Sequence, residues 1–344
     1  MTKYFTKYSI NGASSRVRTF QFLEEAEFVS PLFNHRYLVN KYQGKINIAD
    51  IFISYLRRII QLFTTNDKII YVEKEFLPYF PFAFEHAILK ISGILTKDTK
   101  FIIDIDDAIF VNYKRTKLKN FFLGRKIEKL MSIADIVICG SYTLLEYSKI
   151  YNQSCIYLPS TYECKSKNEI LTLTYPIKIG WVGTPNTQKY LIDFLNDFPN
   201  ELREFFEFHL IGAKSSLLEH VDTDMNIVFK SWSSESEGDL ISKIHFGIMP
   251  ITKSDFEYFK CGYKIIQYFA HSKPTIATRH GANIDIVSHS KDGFLIDDDL
   301  ESYIHTILNM TNQQYQQMCK SAKQKYVEAF NFEDVKEKFC AITN

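Results

Sequence analysis

The sequence lacks the features that mark several specialised classes of protein. Its six cysteines include no CxxC pair, a spacing that fits neither a zinc knuckle nor a dense disulfide framework and that favours reduced thiols. No apolar run reaches about 18 residues, and the longest candidate, Ile51–Phe63, is interrupted by Arg57 and Arg58, which excludes a membrane-spanning helix. The N-terminal residues are polar and contain no apolar signal-peptide core, so we expect a cytoplasmic protein.

An excess of charge of one sign is also missing. The 41 Lys and Arg residues nearly cancel the 40 Asp and Glu residues, so no overall positive field indicates a nucleic-acid coat protein. Hydrophobic residues make up 46% of the chain, which excludes a wholly disordered protein. At roughly 150 residues per domain, the chain of 344 residues is long enough for about two domains.

Short, β-rich runs alternate with helical segments along the chain, and they do so twice. In the first half, strands such as Phe101–Ile105 alternate with helices that we predict over Ala49–Phe63 and Lys117–Met131. A polar linker, Thr161–Thr174, interrupts the alternation, which resumes with the strand Ile177–Val182. The pattern predicts an α/β protein with two doubly wound parallel-sheet domains that face a ligand-binding cleft. We place the two domains at residues 1–165 and 175–325, and a helix over 326–344 could pack back on the first domain.

Residues 246–297 form the most informative segment. A strand and a polar loop are followed by a helix that begins near Gly262, where the missing Cβ lets a ligand approach the backbone. The unpaired N–H groups of a helix N-terminus attract anions, and Lys260 and Lys264 add positive charge for a phosphate. A lysine beside a helix start is also commonly a solvated surface residue. A second glycine-containing loop, at Gly281, follows the next strand and supports a phosphate site.

The motifs of this segment occur in an order that is typical of one enzyme family. The run GIMP…KCGYKIIQYFAHSKPTIAT…GANIDIV…GFLI resembles the donor-binding half of family-4 glycosyltransferases, which are retaining enzymes with the two-domain GT-B fold, made of two Rossmann-like domains. The resemblance also covers IGWVGTPNTQKYL (179–191), VFKSWSSESEGDL (228–240), GASSRVRTFQFL (12–23), YVEKEFLPYFPF (71–82), IIDIDDAIF (102–110) and ADIVICGSYTL (134–144). It implies transfer of a sugar from a nucleoside-diphosphate sugar to a glycan or lipid-linked acceptor with retention, in the synthesis of bacterial surface polysaccharide or lipopolysaccharide.

The resemblance also assigns donor-binding positions in the second half of the chain. Lys264 would stabilise the leaving diphosphate, which makes it our catalytic candidate, and Gln267 would bind near the donor ribose. The Glu-x7-Glu element of many relatives falls on Phe259 and Gln267, so both glutamates are missing. Trp232 could pack beside the base or could be an ordinary core residue. The remaining donor-binding candidates of this half are Gly183, Thr184, Lys260, Cys261, Gly262 and Gly281.

Two other functions stay open, and the missing glutamates are the reason for the first of them. The first is a catalytically degenerate glycosyltransferase-like protein that binds a glycan or a partner without catalysis. The second is a nucleotide-sugar epimerase of related fold. For the glycosyltransferase we expect no metal and no cofactor beyond the nucleoside-diphosphate sugar as co-substrate, because the resemblance implies that helix ends and basic side chains neutralise the donor diphosphate.

A short turn near the N-terminus supplies further donor-binding candidates. Gly12 permits close approach of a ligand, Ser15 could cap the helix that follows, and Arg16 could reach an anion. Ser14 lies in the same turn. The alternative is a plain capped turn without a ligand.

Three aspartates follow a predicted strand of the first domain, and they are our remaining catalytic candidates. Asp104, Asp106 and Asp107 could orient the acceptor or accept its proton. An Asp-x-Asp pair can also chelate a divalent cation, but the resemblance to GT-B enzymes argues against a metal here. At least one of the three could instead cap the segment that follows.

Two segments bear on the acceptor. Leu77–Phe84 is nearly all aromatic or apolar, and Lys114–Lys129 is a basic stretch interleaved with Phe121 and Phe122. The basic residues of that stretch are Lys114, Arg115, Lys117, Lys119, Arg125, Lys126 and Lys129. A basic patch with aromatic residues is typical of contact with an anionic membrane, here the inner face of the cytoplasmic membrane, and a solvated helix face is the alternative. We expect no nucleic-acid partner, since no recognised module accompanies the charge.

Overall fold

The computed structural model describes residues 2–45, 47–96, 98–165, 169–221 and 224–344. The chain forms two compact units. The first unit comprises Met1–Ser160, Phe259–Cys261 and Glu333–Asn344, and the second comprises Thr161–Tyr258 and Gly262–Phe332. Residues 166–168 of the predicted linker lie outside the described residues.

The first unit is built on a six-stranded sheet in which every neighbouring pair of strands is parallel. Its strands are Thr2–Tyr8 (β1), Val29–Phe33 (β2), Ile69–Glu73 (β3), Lys100–Ile105 (β4), Ile136–Cys139 (β5) and Cys155–Tyr157 (β6). They lie in the order β2-β1-β3-β4-β5-β6. The order changes direction between β1 and β3, and in open α/β sheets ligands bind at the carboxyl ends of the strands that flank such a point.

Helices connect these strands. The helices of the first unit up to β6 are Ala13–Arg18 (α1), His35–Tyr42 (α2), Ile48–Thr64 (α3), Phe82–Ile91 (α4), Ile109–Lys114 (α5), Lys117–Leu123 (α6), Lys126–Ile133 (α7) and Tyr142–Lys149 (α8). Helix α3 packs on β2 and on α4, and α4 packs on α7. The single helix that we predict over Lys117–Met131 is in fact two helices, α6 and α7, because the chain breaks at Gly124 and turns Lys126 into the interior.

The second unit contains another six-stranded, fully parallel sheet. Its strands are Ile177–Val182 (β7), Phe206–Ile211 (β8), Ile227–Lys230 (β9), Phe246–Met249 (β10), Thr275–Thr278 (β11) and Gly293–Ile296 (β12). They lie in the order β12-β11-β10-β7-β8-β9, so the direction changes between β7 and β10. Two doubly wound parallel sheets confirm the predicted α/β fold class.

The helices of the second unit cover both faces of its sheet. They are Gln188–Asn196 (α9), Glu237–Ser242 (α10), Asp255–Tyr258 (α11), Tyr263–Ala270 (α12), Ala282–Ile286 (α13), Leu300–Leu308 (α14) and Asn312–Ala329 (α15). The buried strand residues Ile179, Phe208 and Ile248 form one core with Ile304 and Tyr315. None of the described helices is long and apolar enough to cross a membrane.

The last helix of the chain, Phe332–Thr343 (α16), packs within the first unit. The ring of Phe339 lies 6.0 Å from that of Tyr4 and 5.6 Å from that of Tyr71, so it covers β1 and β3. Lys100 donates a hydrogen bond to the Ile342 carbonyl oxygen at 2.9 Å. These contacts make α16 a structural part of the first unit.

Candidate functional site

Asp104, the first of the three predicted aspartates, forms a buried ion pair with Arg18. The Arg18 guanidinium donates to both carboxylate oxygens, at 2.9 and 2.7 Å, and Tyr71 donates to one of them at 2.6 Å. Both charged side chains are 1% exposed. A two-point contact of this kind fixes α1 against β3 and β4. The structure therefore gives the Asp104 carboxylate partners on the protein and keeps it away from solvent.

Asp106 lies at the carboxyl end of β4 and is paired with Lys74, the residue that follows β3. The Lys74 ammonium is 2.8 Å from the Asp106 carboxylate, and Ser14 donates to the other carboxylate oxygen at 2.6 Å. Burial alone would lower the pKa of Lys74, but Asp106 and Asp107 raise it above its ordinary value. Lys74 and Arg18 likewise hold the pKa of Asp106 below its ordinary value against the effect of burial. Both groups are therefore ionised at neutral pH.

Asp107 has a different environment from its two neighbours. Its side chain is 33% exposed and lies 3.8 Å from the Lys74 ammonium. Burial raises the pKa of Asp107 above its usual range, and the nearby Asp106 charge adds to this effect, while Lys74 and Lys260 oppose it. Of the three aspartates, Asp107 has the most accessible carboxylate.

Ser15 belongs to a buried network around Glu73 and does not cap helix α1. The cap position of α1 is Gly12, and the Ser15 hydroxyl donates instead to Glu73 at 2.7 Å. The Glu73 carboxylate also accepts from the Lys7 amide at 3.0 Å. Burial raises the pKa of Glu73 to about 7, although these hydrogen bonds lower it. Arg16, the remaining candidate of this turn, lies half-buried on α1.

The segment Phe259–Cys261 belongs to the first unit, although the residues on either side of it belong to the second. The Cys261 thiol donates to the Asp106 carbonyl oxygen at 3.0 Å, and burial raises its pKa well above the ordinary value. The Phe259 ring lies 5.1 Å from that of Phe110. Lys260 acts electrostatically on Asp107. The predicted donor-binding residues Lys260 and Cys261 therefore lie beside the predicted aspartates.

Helix α12 begins where the sequence places it. Gly262, immediately before it, has a φ of +62°, which favours glycine, and a Cβ there would lie 2.3 Å from Ile286 Cδ1. Lys264 occupies the first turn, with its ammonium 5.4 Å from the ring centroid of Trp181. This cation–π contact holds the lysine beside the amides of the helix start, in a position suited to an anion.

Gln267, one turn further along α12, has an unmet hydrogen-bond donor. The residue is 2% exposed, and no described residue accepts a hydrogen bond from its Nε2 atom. Such a buried group costs about 1–3 kcal/mol, so native structures rarely retain one without a reason. A ligand hydroxyl or phosphate at the start of α12 would supply the missing acceptor.

The other predicted donor-binding residues of the second unit lie in loops at the carboxyl ends of its strands. The Gly183 amide donates to Ile211 at 3.0 Å, and Thr184 caps a short helical turn that follows β7. Gly281 has a φ of +52°, and a Cβ there would meet the Tyr258 carbonyl oxygen at 2.2 Å. Trp232, two residues after β9, is 37% exposed and donates to Glu237 at 2.6 Å, so it is not an ordinary core residue.

Arg18 and Lys74 contact the predicted aspartates but are not among the site residues predicted from the sequence. Lys74 directly follows β3 in the way that Asp106 follows β4, and adjacent ends of parallel strands meet, so its position could have identified it. Arg18 follows Ser14 by one helical turn, which places both side chains on one face of α1. Neither residue stands out by type alone, because isolated basic residues are common on protein surfaces.

The predicted basic stretch Lys114–Lys129 does not form one continuous exposed patch. Lys126 is fully buried, with its ammonium 2.7 Å from Glu75 and 2.8 Å from Glu85, so it is no part of such a patch. Lys114 pairs with Glu128 at 2.6 Å. The residues from Arg115 to Phe122 are exposed.

A cavity of about 280 Å³ opens near the carboxyl ends of β1 and β3. Its lining residues are Lys7, Glu75, Tyr79, Ile109, Asn112, Tyr113, Arg115 and Lys119. The Glu75 carboxylate is already bound by Tyr113 at 2.6 Å and by Lys126 at 2.7 Å. The cavity therefore carries three cations around one carboxylate, and this excess of positive charge suits an anionic ligand.

The fold and part of the sequence are similar to those of known proteins. Residues 176–313 match the family model of Glycosyl transferases group 1. No curated protein sequence matches the chain. Over 99% of both chains, the fold is similar to that of Anabaena HepE in complex with UDP-glucose, with a TM-score of 0.71 and 13% identity.

Two further solved structures share the fold over almost their whole length. Sucrose-phosphate synthase from Thermosynechococcus elongatus gives a TM-score of 0.65 at 12% identity, over 99% of this chain and 98% of that one. The UDP-forming α,α-trehalose-phosphate synthase from Burkholderia xenovorans, in complex with glucose-6-phosphate, gives 0.64 at 11% identity over 100% of both chains. These likenesses confirm the predicted GT-B fold, and the family match confirms the prediction of a glycosyltransferase.

Proposed function

We propose that the protein transfers a sugar, with retention, from a nucleoside-diphosphate sugar to a glycan or lipid-linked acceptor in the synthesis of bacterial surface polysaccharide or lipopolysaccharide. The observation that carries this proposal is the start of α12, where Lys264 and the unmet Gln267 amide lie one turn apart. A diphosphate beside Lys264 and a ribose hydroxyl beside Gln267 would satisfy both. The HepE structure, solved with UDP-glucose, supports a uridine-diphosphate sugar as the first donor to test.

The chemistry at this site is electrostatic. Negative charge grows on the diphosphate as the glycosidic bond breaks, and the Lys264 ammonium with the positive end of the α12 helix dipole would stabilise it. These groups are held in place before the reaction by the Trp181 contact and by the helix itself. Such prearranged charges stabilise the transition state more than the ground state, which is what raises kcat. The site has no need of a metal ion for this step.

The acceptor side of the proposal rests on the first unit. Asp107, with its accessible carboxylate and raised pKa, is suited to orient an acceptor hydroxyl or to receive its proton. The cavity that Lys7, Arg115 and Lys119 line would hold an anionic part of the acceptor, such as the phosphate of a lipid carrier. A phosphorylated acceptor would thus contact both Asp107 and the basic cavity within the first unit.

A catalytically degenerate binding protein is the second candidate, and Phe259 favours it. A phenylalanine stands where many relatives carry a glutamate, and its ring packs against Phe110 and Tyr147. The two candidates differ in their products, because only the enzyme releases a nucleoside diphosphate.

A panel of nucleoside-diphosphate sugars tests both candidates with the purified chain. A bound donor at 100 times its Kd should raise the free energy of unfolding by about 2.7 kcal/mol. The enzyme should also release nucleoside diphosphate, slowly with water and faster with an acceptor. Stabilisation without release would favour the binding protein. If no donor gave either effect, the proposal would be wrong.

A further inference from the structure

Helix α3 presents an apolar surface to solvent. Ile48 is 81% exposed and Phe52 is 68% exposed, values that are unusual for large hydrophobic residues. The exposed hydrophobic residues of this helix are Ile48, Phe52, Ile53, Leu56, Ile60 and Phe63. Their spacing of three or four residues aligns most of them along one side of the helix, over roughly 22 Å at 1.5 Å per residue.

The orientation of α3 is fixed by a polar residue on its inner side. Arg58 is 1% exposed and donates to the carbonyl oxygens of Thr6 and Ser30, each at 2.8 Å. Its guanidinium also lies 5.1 Å from the centroid of the Phe5 ring. Rotation of α3 to bury its exposed apolar side would break these hydrogen bonds and leave a buried cation without acceptors. The apolar side therefore stays outside.

Helix α4 extends this surface. Phe84 and Ile91 are exposed on α4, two turns apart, and α4 packs directly on α3. The Phe80 ring joins the two helices, since its centroid lies 5.1 Å from those of both Tyr55 and Phe84. We call the exposed hydrophobic residues of α3 and α4 the α3–α4 face. Continuous exposed apolar areas of this kind mark an interaction surface.

The charges around the α3–α4 face have one sign. In α3, α4 and the adjoining α7, every residue of which the structure describes, the exposed charged residues are Arg57, Lys90 and Lys129. Glu85 and Glu128 are buried, and Asp50 is half-buried. An apolar helical surface with only basic residues around it matches the interface of a bilayer, where acyl chains lie below anionic headgroups.

We propose that the α3–α4 face binds the surface of an anionic lipid bilayer. Its hydrophobic side chains insert at the boundary between headgroups and acyl chains, and Lys90 and Lys129 contact the headgroups, while Arg57 donates to the Leu32 carbonyl oxygen at 3.0 Å. The inference rests on the proposed function in one respect, because a lipid-linked acceptor gives the enzyme a reason to work at a bilayer. A symmetric dimer through the same face is disfavoured, since it would bring the basic residues of both copies together.

Binding to vesicles tests the proposal with the full chain. Vesicles of phosphatidylglycerol and phosphatidylcholine in equal parts should bind the wild-type protein, and high salt should weaken the binding. The double variant Phe52→Ser/Ile60→Ser should lose at least about tenfold in the partition constant, because the inserted apolar area is reduced. Lys90→Gln/Lys129→Gln should lose about thirtyfold on the same vesicles, at about 1 kcal/mol for each lysine, and both variants should bind phosphatidylcholine vesicles poorly.

The matched control is Ile150→Ser/Leu218→Ser, which removes two other exposed hydrophobic residues, 70% and 42% exposed, from other parts of the surface. It should bind the vesicles as the wild type does. Thermal melts check that every variant is folded. Release of nucleoside diphosphate from a nucleoside-diphosphate sugar is measured in parallel for every protein in lipid-free buffer. A variant that loses vesicle binding but keeps this release separates membrane binding from the proposed enzymatic function.

Equal vesicle binding by wild type and Phe52→Ser/Ile60→Ser would overturn the proposal, and so would the absence of vesicle binding by the wild type. In the second case, the decisive further observation is a wild-type dimer in dilute buffer that the same variant converts to monomer. That result would make the α3–α4 face an interface between copies of this chain.

Discussion

Lys74 holds its ammonium 2.8 Å from the Asp106 carboxylate, in a backbone conformation that side chains rarely adopt. The φ angle of Lys74 is +63°, and its side chain is 8% exposed. A non-glycine residue in the left-handed region costs of order 1–3 kcal/mol, and such strain is concentrated at functional sites. The three aspartates therefore differ in their surroundings. Asp104 is bound to Arg18 and Asp106 is bound to Lys74, whereas Asp107 keeps an accessible carboxylate.

Asp106→Asn should therefore affect mainly stability, whereas Asp107→Asn should affect mainly activity. Loss of the Asp106 charge leaves Lys74 buried without its closest partner, so we expect a decrease of about 3–5 kcal/mol in the free energy of unfolding. Asp107→Asn should change stability by about 0.5 kcal/mol or less but lower kcat by at least about a hundredfold. Denaturant unfolding and steady-state kinetics measure the two effects. Equal losses of stability in both variants would contradict the division of roles.

Lys264→Ala should lower kcat strongly and leave the melting temperature almost unchanged. Removal of one prearranged group that stabilises a growing charge costs on the order of 3 kcal/mol, which is roughly a hundredfold in rate. Lys264→Arg should restore the rate only in part, because a planar guanidinium approaches a phosphate differently. Lys320→Ala, at an exposed lysine of α15, is the control and should keep the wild-type rate. Wild-type kcat in Lys264→Ala would remove this residue from the mechanism.

Gln267→Met should make the unliganded protein more stable and its complex with donor less stable. Methionine has a similar shape and no unmet amide, so about 1–3 kcal/mol of unfolding free energy should be regained. The same change removes the Gln267 side-chain amide, which we propose to hydrogen-bond to the ribose of the nucleoside-diphosphate sugar. Thermal melts with and without a nucleoside-diphosphate sugar measure both effects, with Gln313→Met at an exposed site as control. A variant that is stabilised by donor as much as wild type would contradict the assignment.

Glu73 should make stability decrease as the pH rises. Burial raises its pKa from 4.5 to about 7, so between these values the folded state binds more protons than the unfolded state. The free energy of unfolding therefore falls with rising pH across this range, and roughly 3 kcal/mol should be lost relative to Glu73→Gln. Denaturant titrations of both proteins at several pH values measure the difference. Glu219→Gln, at an exposed site, should follow the wild type; a pH-independent difference for Glu73→Gln would contradict the raised pKa.

Transfer activity should survive EDTA. The Lys74 ammonium already occupies the Asp106 carboxylate, and in the second unit the donor diphosphate would be neutralised by Lys264 and helix amides. Activity is measured before and after chelation and again with added manganese. Loss on chelation that manganese reverses would assign the aspartates to a metal instead.

The sequence predicts the architecture well because strands that are buried on both faces must be apolar throughout. Runs such as Phe101–Ile105 and Ile177–Val182 can therefore be recognised as strands from the sequence, and both lie within strands of the structure. Gly262 and Lys264 could be placed at a helix start for a similarly local reason.

Other features depend on contacts distant in the sequence. Nothing near Lys126 distinguishes it from the exposed lysines around it, because its partners Glu75 and Glu85 are about 40 or 50 residues away. In α3, hydrophobic residues occur on both sides, so periodicity alone does not reveal that Arg58 faces inward and Phe52 outward.

The position of α16 has a consequence for synthesis on the ribosome. Its residues complete the first unit, yet they follow the whole second unit in the chain. At about 5–20 residues per second, the roughly 170 residues that separate Ser160 from Glu333 take about ten to thirty seconds to translate. During that time the rings of Tyr4 and Tyr71 lack the cover of Phe339, and the nascent chain exposes an aromatic surface to chaperones.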